Sequence, residues 1–288
     1  MTQAYDTLAL QETTDSVLVV TLDRPEFSNA FNTQMALDLT DFFEGNALEP
    51  NRYRVIIITG QGEKAFCAGG DLKERNGMSD EDWFRQHLVY EKMIRAVIAC
   101  PVPLIGAING AAYGGGCELV AALDFSYAAV HARFAQTETR IGIIPGIGGT
   151  QNLARAIGER RAKEYILSGK PFSAEQACEW GLINAVYPTV AALHEAVMNV
   201  ASDIARNAPS GRQNLPYTRG SKCLWPRVWL LRLKPTIGWY RQMTVVKVFW
   251  HLTRNVHRCL PESRRKARGN KVTGPQLFLS GLNYNPAL

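Results

Sequence analysis

The sequence of 288 residues has no apolar run that approaches the ~18 residues of a membrane-spanning helix. Its opening residues lack the basic segment and the apolar stretch of a secretory signal, so we expect a cytoplasmic protein. The six cysteines form no Cys-x-x-Cys pair, and the five histidines form no His-x-x-x-His pair. These spacings predict reduced thiols and no metal site.

Acidic residues are nearly absent from the last part of the chain. Residues 211–288 contain one acid, Glu262, and 15 lysines and arginines, which gives a net charge of +14. Residues 1–210 contain 25 acids and 17 lysines and arginines, a net charge of −8. Four of the six tryptophans also lie in the basic part. We therefore predict two parts, a body of residues 1–210 and an atypical basic tail of residues 211–288.

The body alternates β-branched runs with amphipathic segments, an order typical of an α/β domain with helices packed on a sheet. Strands are expected at 17–22, 55–59, 104–108 and 125–130. Helices are expected at 33–43, 80–100, 115–123, 148–157, 161–168, 174–180 and 190–206.

Two glycine-rich segments follow predicted strands, and each has two interpretations. Residues 65–73 contain Gly69 and Gly70, whose backbone N–H groups are open to a ligand unless the segment is only a tight turn. In residues 109–118, three glycines begin a helix whose first N–H groups favour negative charge. Glu118 lies in the first turn of this helix, where an acid is common for the same electrostatic reason.

A third segment, residues 134–138, ends in Glu138 among apolar residues, which favours a raised pKa unless the side chain is a solvated loop acid. The glycines at 142–149 do not form the phosphate-binding or dinucleotide-binding motifs, so neither nucleoside triphosphate hydrolysis nor dinucleotide binding is indicated.

Together and in this order, five segments of the body resemble the crotonase (enoyl-CoA hydratase/isomerase) superfamily, over roughly residues 15–210. They are Asp23-Arg24-Pro25 with Asn29-Ala30, then residues 66–73, 109–118, 134–138 and 145–151.

The resemblance implies a spiral of β-β-α turns, in an assembly of trimers or dimers of trimers. It implies an acyl-CoA substrate, no cofactor besides the CoA that belongs to it, and an oxyanion hole of two backbone N–H groups, those of Gly70 and Gly115. Glu118 and Glu138 occupy the positions of the two acid/base glutamates of the hydratases. By the same resemblance, the substrate and CoA contacts are Phe27, Ser28, Ala30, Ala68, Gly70, Asp71, Leu72, Lys73, Gly115 and Gly146.

With both glutamates present, the resemblance implies hydration: syn addition of water to a 2-enoyl-CoA, giving a 3-hydroxyacyl-CoA. Residues 71–75 also resemble methylglutaconyl-CoA hydratases, so a branched substrate is an alternative. Another isomerase or dehydratase of the superfamily remains a second alternative.

The resemblance stops near residue 213, where the family continues with a helical C-terminal region that ends in Phe-x-Glu-Lys-Arg. Back-translation with suitably chosen codons, read one base out of step from residue 214 to residue 262, yields a segment of that kind. Our hypothesis is that the tail is an out-of-frame translation, and we expect it to be poorly packed. The rival interpretation, that the basic and tryptophan-rich tail binds nucleic acid, is disfavoured because no known nucleic-acid-binding motif accompanies it.

Overall fold

The larger of two sheets has six strands in the order β1-β2-β3-β5-β7-β10. This sheet is seen in a computed structural model of the chain, which describes residues 4–13, 15–48 and 52–207. Only β1 and β2 are antiparallel, and the other neighbours run parallel. The strands are β1 (Leu8–Glu12), β2 (Val17–Leu22), β3 (Val55–Gly60), β5 (Leu104–Ile108), β7 (Phe125–Ala129) and β10 (Ala185–Tyr187). Every residue of β3 and of β5 is buried, as expected for strands covered on both faces.

A smaller sheet has four strands in the order β4-β6-β8-β9, of which the first three are parallel. They are β4 (Ala65–Cys67), β6 (Ala111–Tyr113), β8 (Arg133–Ala135) and β9 (Phe172–Ser173). The chain passes three times from a strand of the large sheet to a strand of the small one and then into a helix. This is the spiral of β-β-α turns that the resemblance implied.

Eight α-helices surround the sheets within the described ranges. They are α1 (Thr33–Leu48), α2 (Leu72–Arg75), α3 (Asp80–Ala99), α4 (Gly115–Ala122), α5 (Gly149–Ile157), α6 (Glu159–Ser168), α7 (Ala174–Trp180) and α8 (Val190–Arg206). Short 3₁₀ helices cover Pro25–Phe27 and Glu138–Ile141. None of the helices in these ranges is long and apolar enough to cross a membrane.

The large sheet buries apolar side chains on both faces. On one face, Ile57 and Ile105 pack in a cluster with Leu193 and Val197 of α8. The other face contributes Ile56 and other strand residues to the main core, which includes residues of α1, α3 and α4. Each fully buried aliphatic side chain contributes about 1.5–3 kcal/mol, so this double coverage fixes the register of the parallel strands. The strand ends that precede the glycine-rich segments are fixed with them.

The four expected strands and seven expected helices are confirmed, with ends that differ by at most five residues. α1 runs to Leu48 rather than to 43, and β7 ends at Ala129. Polar side chains cap the N-termini of α1 and α3: Asn32 Oδ1 accepts from Met35 N at 2.9 Å, and Ser79 Oγ accepts from Asp82 N at 3.1 Å. β1, α2, the 3₁₀ helices, β10 and the whole small sheet were not predicted. The predictions for residues 211–288 lie outside the described residues.

Candidate active site

Glu118 is buried in the first turn of α4, with only 2% of its surface exposed. Its Oε1 accepts from two backbone N–H groups, that of Ile147 at 2.9 Å and that of Gly149 at 2.7 Å. Gly149 is the first residue of α5, where N–H groups lack partners within the helix, and Ile147 lies two residues before it. A Cβ atom on Gly149 would lie 2.8 Å from Glu118 Cγ, so glycine is needed for this approach.

Glu138 lies just beyond β8, at the start of the second 3₁₀ helix, and is 8% exposed. Gln136, which is fully buried, precedes it by two residues. With its amide oriented so that the nitrogen faces acceptors, this nitrogen lies 3.2 Å from each oxygen of the Glu138 carboxylate. Gly114 adopts φ 52° and ψ −123°, and a Cβ atom there would lie 3.4 Å from Glu138 Oε1. The two glutamates therefore converge beside the start of α4.

Burial raises the pKa of both carboxyl groups. For Glu138 the pKa rises to about 8, first because of burial and then because of the negative charge and hydrogen bonding of Glu118. For Glu118 burial also raises the pKa, although the N–H groups of Gly149, Ile147 and Gly146 oppose the rise. Because the two groups interact directly, the pair holds its last proton to a higher pH than either glutamate does in water.

The two glycine-rich segments lie against each other beside this pair. Gly69 has φ +90°, and a Cβ atom on it would lie 3.0 Å from the backbone N of Gly115. Phe31 N donates to Gly69 O at 2.7 Å and Asp71 N donates to Phe31 O at 2.8 Å, which fixes the backbone around Gly70. Within the part of the chain that the structure describes, no acceptor receives the N–H of Gly70 or of Gly115. Two unpaired backbone donors thus lie in adjoining segments, one of them at a helix N-terminus.

Two buried asparagines hold the connection that leads into residues 65–73. Asn29 Nδ2 donates to Ala65 O at 2.8 Å and to Gln61 O at 3.1 Å. Asn109 accepts from Gly60 N at 3.0 Å and donates to Gly60 O at 2.9 Å. Each buried amide bonds backbone groups at the end of β3 or the start of β4, which fixes the connection between these two strands.

Direct contacts join residues 27–30 to residues 68–73, the two segments that contain most of the residues that the resemblance assigned to CoA. Phe27 and Leu72 are exposed apolar side chains, at 37% and 57%. Lys73 Nζ lies 5.4 Å from the centroid of the Phe27 ring. Asp71 is paired with Arg24 at 3.0 Å, and although burial opposes it, this pairing together with backbone N–H donors keeps the pKa of Asp71 low. Ala68 N donates to Ser28 O at 3.1 Å, while Arg24 Nη1 donates to Ala30 O at 2.6 Å.

Gly146, another of the residues assigned to CoA, lies against α3. A Cβ atom on Gly146 would lie 2.6 Å from Cε1 of His87, whose Nε2 is 3.1 Å from Glu91 Oε1. Among the described residues no group of three or more potential ligands could hold a metal ion.

Residues 12–216 match the sequence profile of the family described as enoyl-CoA hydratase/isomerase. The chain belongs to this family. A short-chain-enoyl-CoA hydratase of Clostridium acetobutylicum is 36% identical over 193 residues, 67% of this chain and 73% of the relative. A crotonyl-CoA hydratase of Syntrophomonas wolfei is 36% identical over 183 residues, 64% of this chain and 70% of the relative. The crystal structure of an enoyl-CoA hydratase from Bacillus anthracis is similar with a TM-score of 0.69 at 41% identity, covering 71% of this chain and 78% of that one.

The structure therefore brings Glu118, Glu138, Gly70 and Gly115 into one region of this family's fold. The expected CoA contacts of residues 27–30 and 68–73 adjoin one another, and Gly146 lies against α3. Their functional roles remain predictions. Sequence reasoning missed the partners of these groups: Gln136, His87 and the N–H groups of Ile147 and Gly149. Gln136 lies inside the motif of residues 134–138, two residues before Glu138. A polar residue that directly follows the apolar pair Phe134-Ala135 is the sequence signal that could have identified it.

Proposed function

We propose that the chain is an enoyl-CoA hydratase that adds water to the double bond of a 2-enoyl-CoA and forms a 3-hydroxyacyl-CoA. The observation that carries this proposal is the pair of buried glutamates with raised pKa values, next to two backbone N–H groups without acceptors. The hydratases among the relatives support the same reaction.

The N–H groups of Gly70 and Gly115 bind the thioester carbonyl oxygen in this mechanism. Negative charge develops on that oxygen when the β-carbon is attacked, and each preorganised donor is worth about 3–4 kcal/mol at that moment. The donor at Gly115 also benefits from its place at the N-terminus of α4.

The glutamate pair handles the water molecule. One carboxylate accepts a proton from water as the oxygen bonds to the β-carbon, and the other carboxyl group donates its proton to the α-carbon. The pair thus begins and ends with one proton, and the elements of water add to the substrate. Because both carboxyl groups converge on one region of the site, hydroxyl and hydrogen add to the same face, which is syn addition.

Hydration of crotonyl-CoA tests the proposal through the loss of the absorbance of the conjugated thioester. Wild type and Glu164→Gln, an exposed control, should hydrate the substrate at equal rates. Glu118→Gln and Glu138→Gln should each lower kcat by about 10²–10⁴-fold. A glutamine at 118 keeps an oxygen for the N–H groups of Ile147 and Gly149, so a folding defect is not expected. Near-normal turnover by either variant would exclude the proposed mechanism.

The oligomer and the tail remain proposals. We propose a homotrimer or a dimer of trimers, to be checked by light scattering of the purified chain. We also propose that residues from about 214 onward are translated out of frame, which is supported by the end of the family match at residue 216. Sequencing the coding DNA decides this point: the shifted frame must encode the helical segment that ends in Phe-x-Glu-Lys-Arg.

A further inference from the structure

Arg75, the last residue of α2, lies over the backbone of Gly70. A Cβ atom on Gly70 would lie 3.3 Å from Arg75 Cζ and 3.4 Å from Nη1. The guanidinium therefore occupies the space that a side chain at position 70 would fill. Since we propose that the Gly70 N–H binds the thioester oxygen, Arg75 stands beside the part of the substrate that reacts.

The neighbours of Arg75 fix the guanidinium in this place. Its Nε donates to Gln86 Oε1 at 2.8 Å, and Gln86 Nε2 donates to Glu74 Oε2 at 2.7 Å. The rings of Trp83 and Tyr90 lie 5.5 Å and 5.0 Å from Cζ, within the range of cation–π attraction. The side chain is thus held on one edge and one face, so little conformational entropy is lost when its remaining edge binds a ligand.

The remaining edge of the guanidinium has no acceptor among the described residues. Two other arginines in this part of the chain have carboxylate partners: Arg24 is paired with Asp71 at 3.0 Å, and Arg85 with Glu81 at 2.6 Å. Arg75 is half-buried, yet within the described ranges neither Nη1 nor Nη2 donates to the protein and no carboxylate lies in ion-pair range. A planar pair of free N–H₂ groups matches the paired oxygens of a carboxylate or of a phosphate group.

Arg75 is also one end of a row of three neighbouring side chains, Arg75, Trp83 and His87. The Trp83 ring beside it stacks on the His87 ring, with centroids 5.2 Å apart and an angle of 7° between the planes. His87 in turn packs against Gly146, on the side of Glu118. The guanidinium of Arg75 and the imidazole of His87 thus lie on either side of the Trp83 ring, and polar groups of this kind suit an acyl group with its own polar end rather than a long hydrocarbon chain.

We infer that the acyl group of the substrate is short and carries a second carboxylate, which Arg75 binds. The inference rests on the proposed function and specifies its substrate class. The CoA phosphates are separated from the thioester by the whole pantetheine arm, so an arginine beside the thioester site meets the acyl group instead. The acidic 2-enoyl-CoA esters include the branched alternative that residues 71–75 indicated.

Two substrates of similar length test the inference on the full chain: crotonyl-CoA and 4-carboxybut-2-enoyl-CoA. Wild type should prefer the carboxylated substrate in kcat/KM. Arg75→Met should lower the ratio of the two kcat/KM values by about 100-fold, because the carboxylate loses its charged partner. Arg75→Lys should lower it less, since it keeps the charge without the bidentate geometry. Arg85→Met, which removes an exposed and already paired arginine, should leave the ratio unchanged.

Equal or better turnover of crotonyl-CoA by wild type, or equal losses on both substrates in Arg75→Met, would overturn the inference. Calorimetric binding of glutaryl-CoA and butyryl-CoA, which carry no double bond, separates this failure from that of the proposed function. Tighter binding of glutaryl-CoA that is lost in Arg75→Met supports carboxylate recognition even if no hydration occurs. Equal binding of the two esters by wild type rejects it.

Discussion

The two glutamates of the site are buried to a similar degree but are held in different ways. Glu118 lies on a regular helix, and backbone N–H groups of α5 donate to one of its oxygens. Glu138 lies at the start of a 3₁₀ helix, next to the side-chain amide of Gln136. Backbone donors stabilise the charged form of Glu118, although burial still raises its pKa, whereas the pKa of Glu138 is raised by burial and further by the charge of Glu118.

This difference shows how a fold can give two identical side chains different electrostatic surroundings. The start of α5 supplies fixed dipoles to one carboxylate, while the other depends on packing and a neutral side chain. The four predictions that follow concern one side of this comparison or the pair as a whole.

Among these four predictions, the largest effect on kcat is expected at Gly149, on the Glu118 side. A Cβ atom there would lie 2.8 Å from Glu118 Cγ and 3.0 Å from its Oε1, so Gly149→Ala must displace the carboxyl group. A shift of about 1 Å in a reacting group costs on the order of 100-fold, which is the expected loss in kcat. Gly45→Ala is the matched control, because no atom of the described residues lies within 4 Å of its added methyl group. Unchanged kcat in Gly149→Ala would contradict the placement of Glu118.

A change on the Glu138 side should alter the pH dependence of stability. Its pKa is about 8 in the folded chain and about 4.5 when unfolded, so the folded state binds the extra proton between these pH values. Stability therefore falls as pH rises from about 4.5 to 8, because the buried group must ionise. Glu138→Gln stays neutral and should exceed wild type by about 5 kcal/mol at pH 9, with a much smaller difference at pH 5. Denaturant unfolding at both pH values measures this, and an equal difference at both would refute it.

The activity should also fall at alkaline pH, for the same reason. Once the pair loses its last proton, no carboxyl group is left to protonate the α-carbon. We expect kcat/KM to decrease by about tenfold per pH unit above a midpoint near 8. A flat profile between pH 7 and 10 would mean that the protonated pair does not take part in the reaction.

The smallest effect is expected from Gln136→Leu. This variant removes the amide whose nitrogen lies 3.2 Å from both Glu138 oxygens and therefore raises the pKa of Glu138 further. We expect kcat to fall about five- to tenfold and the alkaline midpoint to move to higher pH. A midpoint that stays in place would show that Gln136 has only a packing role.

Long elements were predictable from the sequence because local signals determine them. Apolar periodicity, the cap at Ser79 and the stop at Pro101 place α3 to within one residue. β4 and β6 have three residues each, so neither alternation nor length distinguishes them from a loop. They are strands because β4, β6 and β8 pair with one another across long sequence separations.

The site was predictable only in part, for a related physical reason. Family resemblance assigned Glu118 and Glu138, but no sequence spacing shows that the N–H groups of Ile147 and Gly149 reach across to α4. The approach of Arg75 to Gly70 depends on how α2 turns after the cap at Asp71. Contacts of this kind arise from tertiary packing, which a single sequence leaves undetermined.

The central claim is that the glutamate pair adds the elements of water across the double bond of a 2-enoyl-CoA. Turnover of such a substrate in ¹⁸O-labelled D₂O, followed by mass spectrometry, tests it most directly. The account predicts one ¹⁸O on the β-carbon and one deuterium on the α-carbon, both absent from the products of Glu118→Gln and Glu138→Gln in the same time. Deuterium without ¹⁸O would indicate isomerisation, and an unlabelled thioester would contradict the claim altogether.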